Sequence, residues 1–415
     1  MTAGARHYLI VTASYWGFTL VDGALRMLVL FHFFQLGYSP FTLAFLFLLY
    51  EFAGIVANLS GGWFATRYGI PRMLAVGQGL QVAGLFMLSA LDPAWTVAWS
   101  VAWVVAAQGI AGLAKDFTKT ASKSAIKATS AEGGGQLFKW VAWFTGSKNA
   151  MKGIGFFFGG LLLDVLGFKG ALWLMAAIIG VIFLAGMALP RQLGKAKASK
   201  TVREFFAKSR GVNLLAAARV FMFGAREVWF MVGLPVFLYA AGWKFLEVGG
   251  FLAAWTIAYG LIQAMAPSLV VRSADGLSKE ISHARLWAGL LFAVPVILAL
   301  MMRDHSLWRP DIVLVVGLSI FGLPFAVNSS LHSYLILAYA GSKKAAEDVG
   351  FYYAANAAGR LIGILLSGAL YQAGGIVACL LGSAVMLLVC WVTAFFLPHS
   401  AGRSVHAKNA MRPVA

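Results

Sequence analysis

The chain has 415 residues, of which 60% are hydrophobic and only 12% charged, with a mean hydropathy of +0.80. A water-soluble protein carries about twice that share of charge, so an assembly of soluble domains is excluded. The formal charge of +18 would suggest nucleic acid in a polar chain, but these cations are too few and too separated for that reading.

Apolar runs of about 20 residues, the length that crosses a bilayer, recur from Tyr8 to Pro398 with short polar breaks. They predict twelve spans, near 8–36, 41–64, 72–91, 94–114, 137–163, 170–190, 212–240, 246–270, 284–302, 311–338, 346–373 and 375–397. The fold class is therefore an all-α integral membrane protein with no sizeable soluble domain. The first span holds Asp22 and Arg26 and has no small-residue cleavage site after it, so it reads as a retained helix. The second contains Glu51. The fourth runs out into a stripe of Lys115, Lys119, Lys123 and Lys127, every fourth residue, with Asp116 beside it. Lys148, Asn149 and Lys152 lie in the fifth span, Arg219, Arg226 and Glu227 in the seventh, and Asn356 and Arg360 in the eleventh. Cys379 and Cys390 sit in apolar runs, which argues against a disulfide framework or a thiolate metal site.

Orientation follows from the loops, because Lys and Arg accumulate on the cytoplasmic side. With the amino terminus inside, 23 of the 33 cations fall on that side, including the cluster from Arg191 to Arg210, while Lys169, Lys244, Arg303 and Arg309 fall on the other. The basic cluster separates a bundle at 1–190 from one at 211–398, with 191–210 as a cytoplasmic linker and 399–415 as a cytoplasmic tail. The halves repeat. Lys152-Gly-Ile-Gly-Phe-Phe-Phe-Gly-Gly aligns with Arg360-Leu-Ile-Gly-Ile-Leu-Leu-Ser-Gly, each with an Asn one turn earlier, and Gly23-Ala24-Leu25-Arg26 aligns with Gly224-Ala225-Arg226-Glu227. A parallel repeat of six spans is the signature of the major facilitator fold, whose substrate site lies near the midplane between the halves. The loop from Gly62 to Gly69 has the outline of the facilitator loop after the second span, with Thr66 in place of its acid and Pro71 interrupting its basic end.

Enzyme motifs are missing: there is no His-Glu-x-x-His pair, no Gly-x-Ser-x-Gly elbow and no phosphate-binding Gly-x-x-x-x-Gly-Lys loop. The seven histidines are scattered and imply no metal, and no cofactor is called for. Cations within spans carry the signal, because an unpaired charge at the bilayer centre costs about 3 kcal/mol or more and persists where it faces protein or a water-filled cavity. Six such cations, Arg26, Lys148, Lys152, Arg219, Arg226 and Arg360, face three intramembrane acids, Asp22, Glu51 and Glu227. Asp22 and Arg26 are spaced to form a local ion pair, whereas Lys148 and Lys152 share that spacing with like charge. A permeating anion is the simplest balance for the excess, and guanidinium forks suit phosphate, carboxylate or arsenate oxygens. Lys148, Lys152, Arg226 and Arg360 are the first candidates to bind it, Arg26 and Arg219 stand in a second rank, and Asn149 and Asn356 supply neutral hydrogen bonds. Lys115 and Lys119 could line a funnel for anions, with a solvated helix end as the alternative. Asp22, Glu51 and Glu227 are candidates for proton coupling or for latching an empty cavity.

The stretch Tyr15-Trp16-Gly17-Phe18-Thr19-Leu20-Val21-Asp22-Gly23-Ala24-Leu25-Arg26, continuing through Leu36-Gly37-Tyr38-Ser39-Pro40 to Tyr50-Glu51, resembles the arsenical-resistance permeases of the ArsJ type. Ala114-Lys115-Asp116-Phe117-Thr118-Lys119, Gly146-Ser147-Lys148-Asn149-Ala150-Met151-Lys152-Gly153 and Gly224-Ala225-Arg226-Glu227-Val228-Trp229 carry the same resemblance. It implies export of 1-arseno-3-phosphoglycerate, the ester formed when a glyceraldehyde-3-phosphate dehydrogenase uses arsenate for phosphate, and so a functional partnership with that enzyme. It further implies residence in the bacterial inner membrane, with the lipid bilayer as surroundings. The rivals are a facilitator for another organophosphate or carboxylate and, from a different class, a non-transporting membrane sensor.

Overall fold

The computed structural model describes residues 3–129, 134–187, 208–266, 269–270, 273, 277–303, 309–340 and 345–399, with the side chains at 3–8, 61–68, 123–129, 134–146 and 345–347 excluded. The linker at 191–207, the tail at 400–415, and the side chains of Lys123 and Lys127 and of 62–68 in the loop motif lie outside the described residues.

Among the described residues every regular element is a helix. They run in the order α1 (Ala3–Gln35), α2 (Pro40–Phe45), α3 (Leu48–Tyr68), α4 (Ile70–Ser89), α5 (Val97–Thr129), α6 (Gly134–Gly186), α7 (Arg210–Phe230), α8 (Gly233–Ala240), α9 (Phe245–Met265), α10 (Ser278–Met301), α11 (Pro310–Tyr339) and α12 (Ala345–Phe395). Two of these are double passes. Gly167 breaks α6 with a φ of 67°, and Gly375 breaks α12 with a φ of 62°, a left-handed backbone that a side chain would strain. Counting each as two passes, and taking α2 with α3 and α7 with α8 as single crossings, gives the twelve expected spans. The second and seventh spans are thus interrupted, at Leu46 and Phe47 and at Met231 and Val232. The fourth continues well past the expected boundary at 114, because α5 runs to Thr129.

Local chemistry sets the starts. Ser39 accepts from the Thr42 backbone N–H at 3.2 Å ahead of Pro40, and Ser209 accepts from Val212 at 3.3 Å at the head of α7. Large apolar side chains such as Val97, Trp173, Val181, Leu261, Leu300, Leu337 and Val385 point outward. In a soluble protein so much exposed apolar surface would aggregate; here it is the face presented to lipid.

In the first half α1 packs on α5 and α6, and α4 packs on α5 and α6; in the second α7 packs on α12, and α10 on α11 and α12. The halves meet where α6 lies against α9 and where α2 and α3 lie against α12. The repeated glycines explain the tightest contacts. A Cβ on Gly155 would strike the Leu20 carbonyl on α1 and lie 3.1 Å from Gly23 Cα, and one on Gly363 would strike the Gly224 carbonyl on α7 and lie 2.9 Å from Gly224 Cα. The motif pairs aligned by sequence are therefore brought together in the same way in each half. Replacing Gly363 by Leu should cost well over the ~1–3 kcal/mol of ordinary overpacking, since the obstruction is backbone. The loss of monodisperse protein in detergent by fluorescence-detected size exclusion measures it; normal yield and stability would contradict this packing.

Candidate functional site: a buried charge cluster between the halves

The interruption between α2 and α3 places Tyr50 and Glu51 in the opening turn of α3, facing α1. Glu51, with 0% exposure, is the hub. One oxygen pairs with the Arg26 guanidinium from α1, and the other lies 2.6 Å from Arg360 Nη2 on α12. Arg26 belongs to the first half and Arg360 to the second, so a single carboxylate ties the halves together. Arg26 also directs Nη1 at Met231 Sδ at 3.7 Å, a second contact across the interface.

Tyr50 organises the rest. Its hydroxyl donates to Asp22, while its ring lies 4.2 Å from the Arg26 guanidinium and 3.9 Å from Lys115 Nζ. The local Asp22 and Arg26 ion pair expected from their spacing is replaced by these contacts, because α3 supplies a better partner to each. Tyr50 stood in a quoted motif, but nothing in its spacing marked it as the link.

Asp116 is an acid whose weight the sequence concealed. At 1% exposure it lies 2.8 Å from Lys119 Nζ and 3.8 Å from Lys115 Nζ, and Asn58 accepts from Lys119 at 3.0 Å. The intramembrane acids thus number at least four: Asp22, Glu51, Asp116 and Glu227. Lys115 and Lys119 remain largely inside the bundle, with side chains 14% and 21% exposed, on a helix that extends beyond the apolar run.

The other candidates divide. Arg226 pairs with Glu227 and is ringed by Phe223, Phe230 and Phe325 at 5.1, 5.5 and 5.3 Å. Lys152 forms no ion pair among the described residues. Its ammonium lies 5.4 Å from the Phe156 ring, with Arg26, Asp22, Arg360 and Glu227 as its charged neighbours. Arg219 and Asn356 meet at 3.2 Å in the second half. Asn149 packs against Gly260 of α9, and Lys148 is half-buried beside it.

At the end of the bundle opposite the amino terminus, aromatic rings join the halves. Phe31 stacks on Phe245 at 4.6 Å, Phe34 meets Tyr239 edge-on at 5.2 Å, and the Phe41 backbone N–H donates to Gln372 at 3.4 Å. Two six-helix bundles, a buried charge cluster on their interface and aromatic contacts beyond it form the frame of an alternating-access carrier.

The Major Facilitator Superfamily family model matches residues 8–334. The chain belongs to the major facilitator superfamily. Solved structures of similar fold include a D-xylose-proton symporter (12% identity, TM-score 0.68, 97% of this chain and 99% of that one). Others are the nucleoside transporter NupG (14%, 0.70, 94% and 98%) and a POT family transporter in complex with 5-aminolevulinic acid (13%, 0.72, 95% and 96%). No curated protein sequence gives a match. As a major facilitator the chain is a multi-pass membrane transporter and not an enzyme.

Proposed function

We propose that this facilitator exports an organic anion, 1-arseno-3-phosphoglycerate, across the bacterial inner membrane and thereby confers arsenate resistance. The observation that carries the reading is Glu51 held between Arg26 and Arg360: two arginines from opposite halves converge on one anionic group at the interface. A phosphate or arsenate oxyanion, like that carboxylate, accepts charge-assisted bonds from a guanidinium fork, so it can exchange for it. Lys152, which forms no ion pair among the described residues, lies beside that position and adds a hydrogen-bond donor there. The resemblance to the arsenical permeases selects the substrate from among organic anions; charge by itself does not.

In this reading the bundles at 1–190 and 211–398 are joined by the cytoplasmic linker 191–210, and the termini, including the tail 399–415, are cytoplasmic. Substrate reaches Lys152, Arg26, Arg226 and Arg360 from the cytoplasmic end, passing Lys115 and Lys119. Its anionic oxygens displace Glu51, the arginines re-pair with the substrate, and the aromatic contacts at the outer end part for release. Glu51 then returns to both arginines, so Arg26 and Arg360 are not left unpaired as the empty carrier resets. Asp22 and Glu227 are the other candidates for proton coupling. Outside the cell the ester decays to arsenate, which keeps export downhill.

Arsenate tolerance tests this in a host lacking other arsenic exporters, with and without a co-expressed glyceraldehyde-3-phosphate dehydrogenase. Protection that requires both proteins is expected. Protection independent of the dehydrogenase would mean that arsenate itself or another species is carried, and no protection would return the substrate to another organophosphate or carboxylate.

A further inference from the structure

Arg219 is held differently from the other intramembrane arginines. Arg26 and Arg360 meet Glu51, and Arg226 meets Glu227. Arg219, at 4% exposure, forms no ion pair among the described residues. Its partners are all neutral. Nε donates to Asn356 Oδ1 at 3.2 Å, and Nη1 donates to the Ser329 carbonyl and to Ser329 Oγ, each at 3.2 Å. The guanidinium lies 3.9 Å from the Phe223 ring and 4.9 Å from that of Tyr352, and Nη2 donates to no acceptor among the described residues. Arginine does not shed its proton, so burial leaves it a full charge that only an anion can balance.

Its surroundings are furnished with polar groups, and no carboxylate contacts it among the described residues. Tyr259 Oη lies 3.3 Å from Ser329 Oγ, and Gln263 Nε2 donates to the same oxygen at 3.4 Å. One turn further along α11, His332 is fully buried, and neither ring nitrogen has a partner among the described residues. Arg219 also precedes Arg226 by two turns on one face of α7, which separates them by about 10 Å along the axis. A cation awaiting an anion therefore stands two turns from the charge cluster on the interface, towards the linker end.

Resting on the transport reading above, we propose that Arg219, with Asn356, Ser329 and Gln263, forms a second anion subsite that takes the distal anionic group of a substrate bearing two. The central cluster holds one end and Arg219 the other. The carrier thereby selects bifunctional organic anions over those with a single anionic group.

The test uses the full-length protein in detergent and two probes measured by titration calorimetry: 3-phosphoglycerate, with a phosphate and a carboxylate, and glycerol 3-phosphate, with the phosphate alone. Wild type should favour 3-phosphoglycerate about tenfold or more, the increment of one charge-assisted contact. Arg219→Gln should bring that ratio close to one. Gln263→Glu, which places a carboxylate of the protein beside the same cation, should do likewise and covers the case in which Arg219→Gln does not fold. Lys152→Ala should weaken both probes and leave the ratio intact, which reports on the central cluster separately. A wild-type ratio near one, or a ratio retained in Arg219→Gln or in Gln263→Glu, overturns the subsite. Lys152→Ala binding both probes as wild type does would overturn the central assignment instead, and failure of 3-phosphoglycerate to bind wild type would overturn both.

Discussion

Glu51→Gln should yield a carrier that reaches the membrane, binds anions more tightly than wild type and exports almost nothing. Among the described residues Glu51 is the one acid in contact with both Arg26 and Arg360. Removing one partner of a buried ion pair costs ~3–5 kcal/mol, chiefly because the charge left behind is uncompensated, and here two guanidiniums are left. The empty variant should therefore melt earlier than wild type in detergent. Added 3-phosphoglycerate should raise its melting temperature by more than it raises that of wild type, because the ligand now fills a vacancy instead of displacing a carboxylate. Export should fall because the return of the empty carrier exposes two unpaired cations. Thermal shift with and without ligand, together with arsenate tolerance, reads all three effects. Wild-type tolerance with unchanged ligand stabilisation would remove Glu51 from the cycle.

Arg360→Ala should abolish tolerance by a different route. It leaves Glu51 paired with Arg26, so the empty protein remains charge-balanced locally, but the second half loses its grip on the ligand. Truncating one member of a buried charge pair typically costs 2 kcal/mol or more, equivalent to about thirtyfold in affinity. The two variants are thus expected to move binding in opposite directions while both stop export. That divergence separates a competitive carboxylate from a merely structural one: if Glu51 only braced the halves, both variants would weaken binding. Arg360→Ala cells that extrude the arsenical as wild type does, with protein confirmed in the membrane, would show that Arg360 is not a ligand contact.

Much of the fold was legible because its determinants are short-range along the chain. Apolar length sets the number of crossings, and the glycine-rich repeats around Gly155 and Gly363 mark which helices approach closely, as the matching contacts on Leu20 and Gly224 bear out. The interruptions were less visible. The break at Leu46 and Phe47 involves neither glycine nor proline, yet it sits just before Tyr50 and Glu51 and accompanies their turn toward α1. Asp116 escaped weight for a related reason: its neighbours Lys115 and Lys119 look like a solvated helix end until α3 is laid against α5.

The sequence by itself determined that this is a membrane protein of twelve spans in two repeated halves, and that its spans hold more cations than ordinary helix packing explains. Hydropathy, repeat spacing and charge count are properties of the chain before it folds. Which acid meets which base is not, because Glu51, Arg26 and Arg360 lie on three helices whose facing surfaces only tertiary packing selects. The same packing left Arg219 among neutral partners while Arg226, two turns away on the same helix, received a carboxylate. In a low-dielectric interior that difference in partners outweighs any difference in residue type, and so the cations of one composition divide into paired and ligand-ready groups.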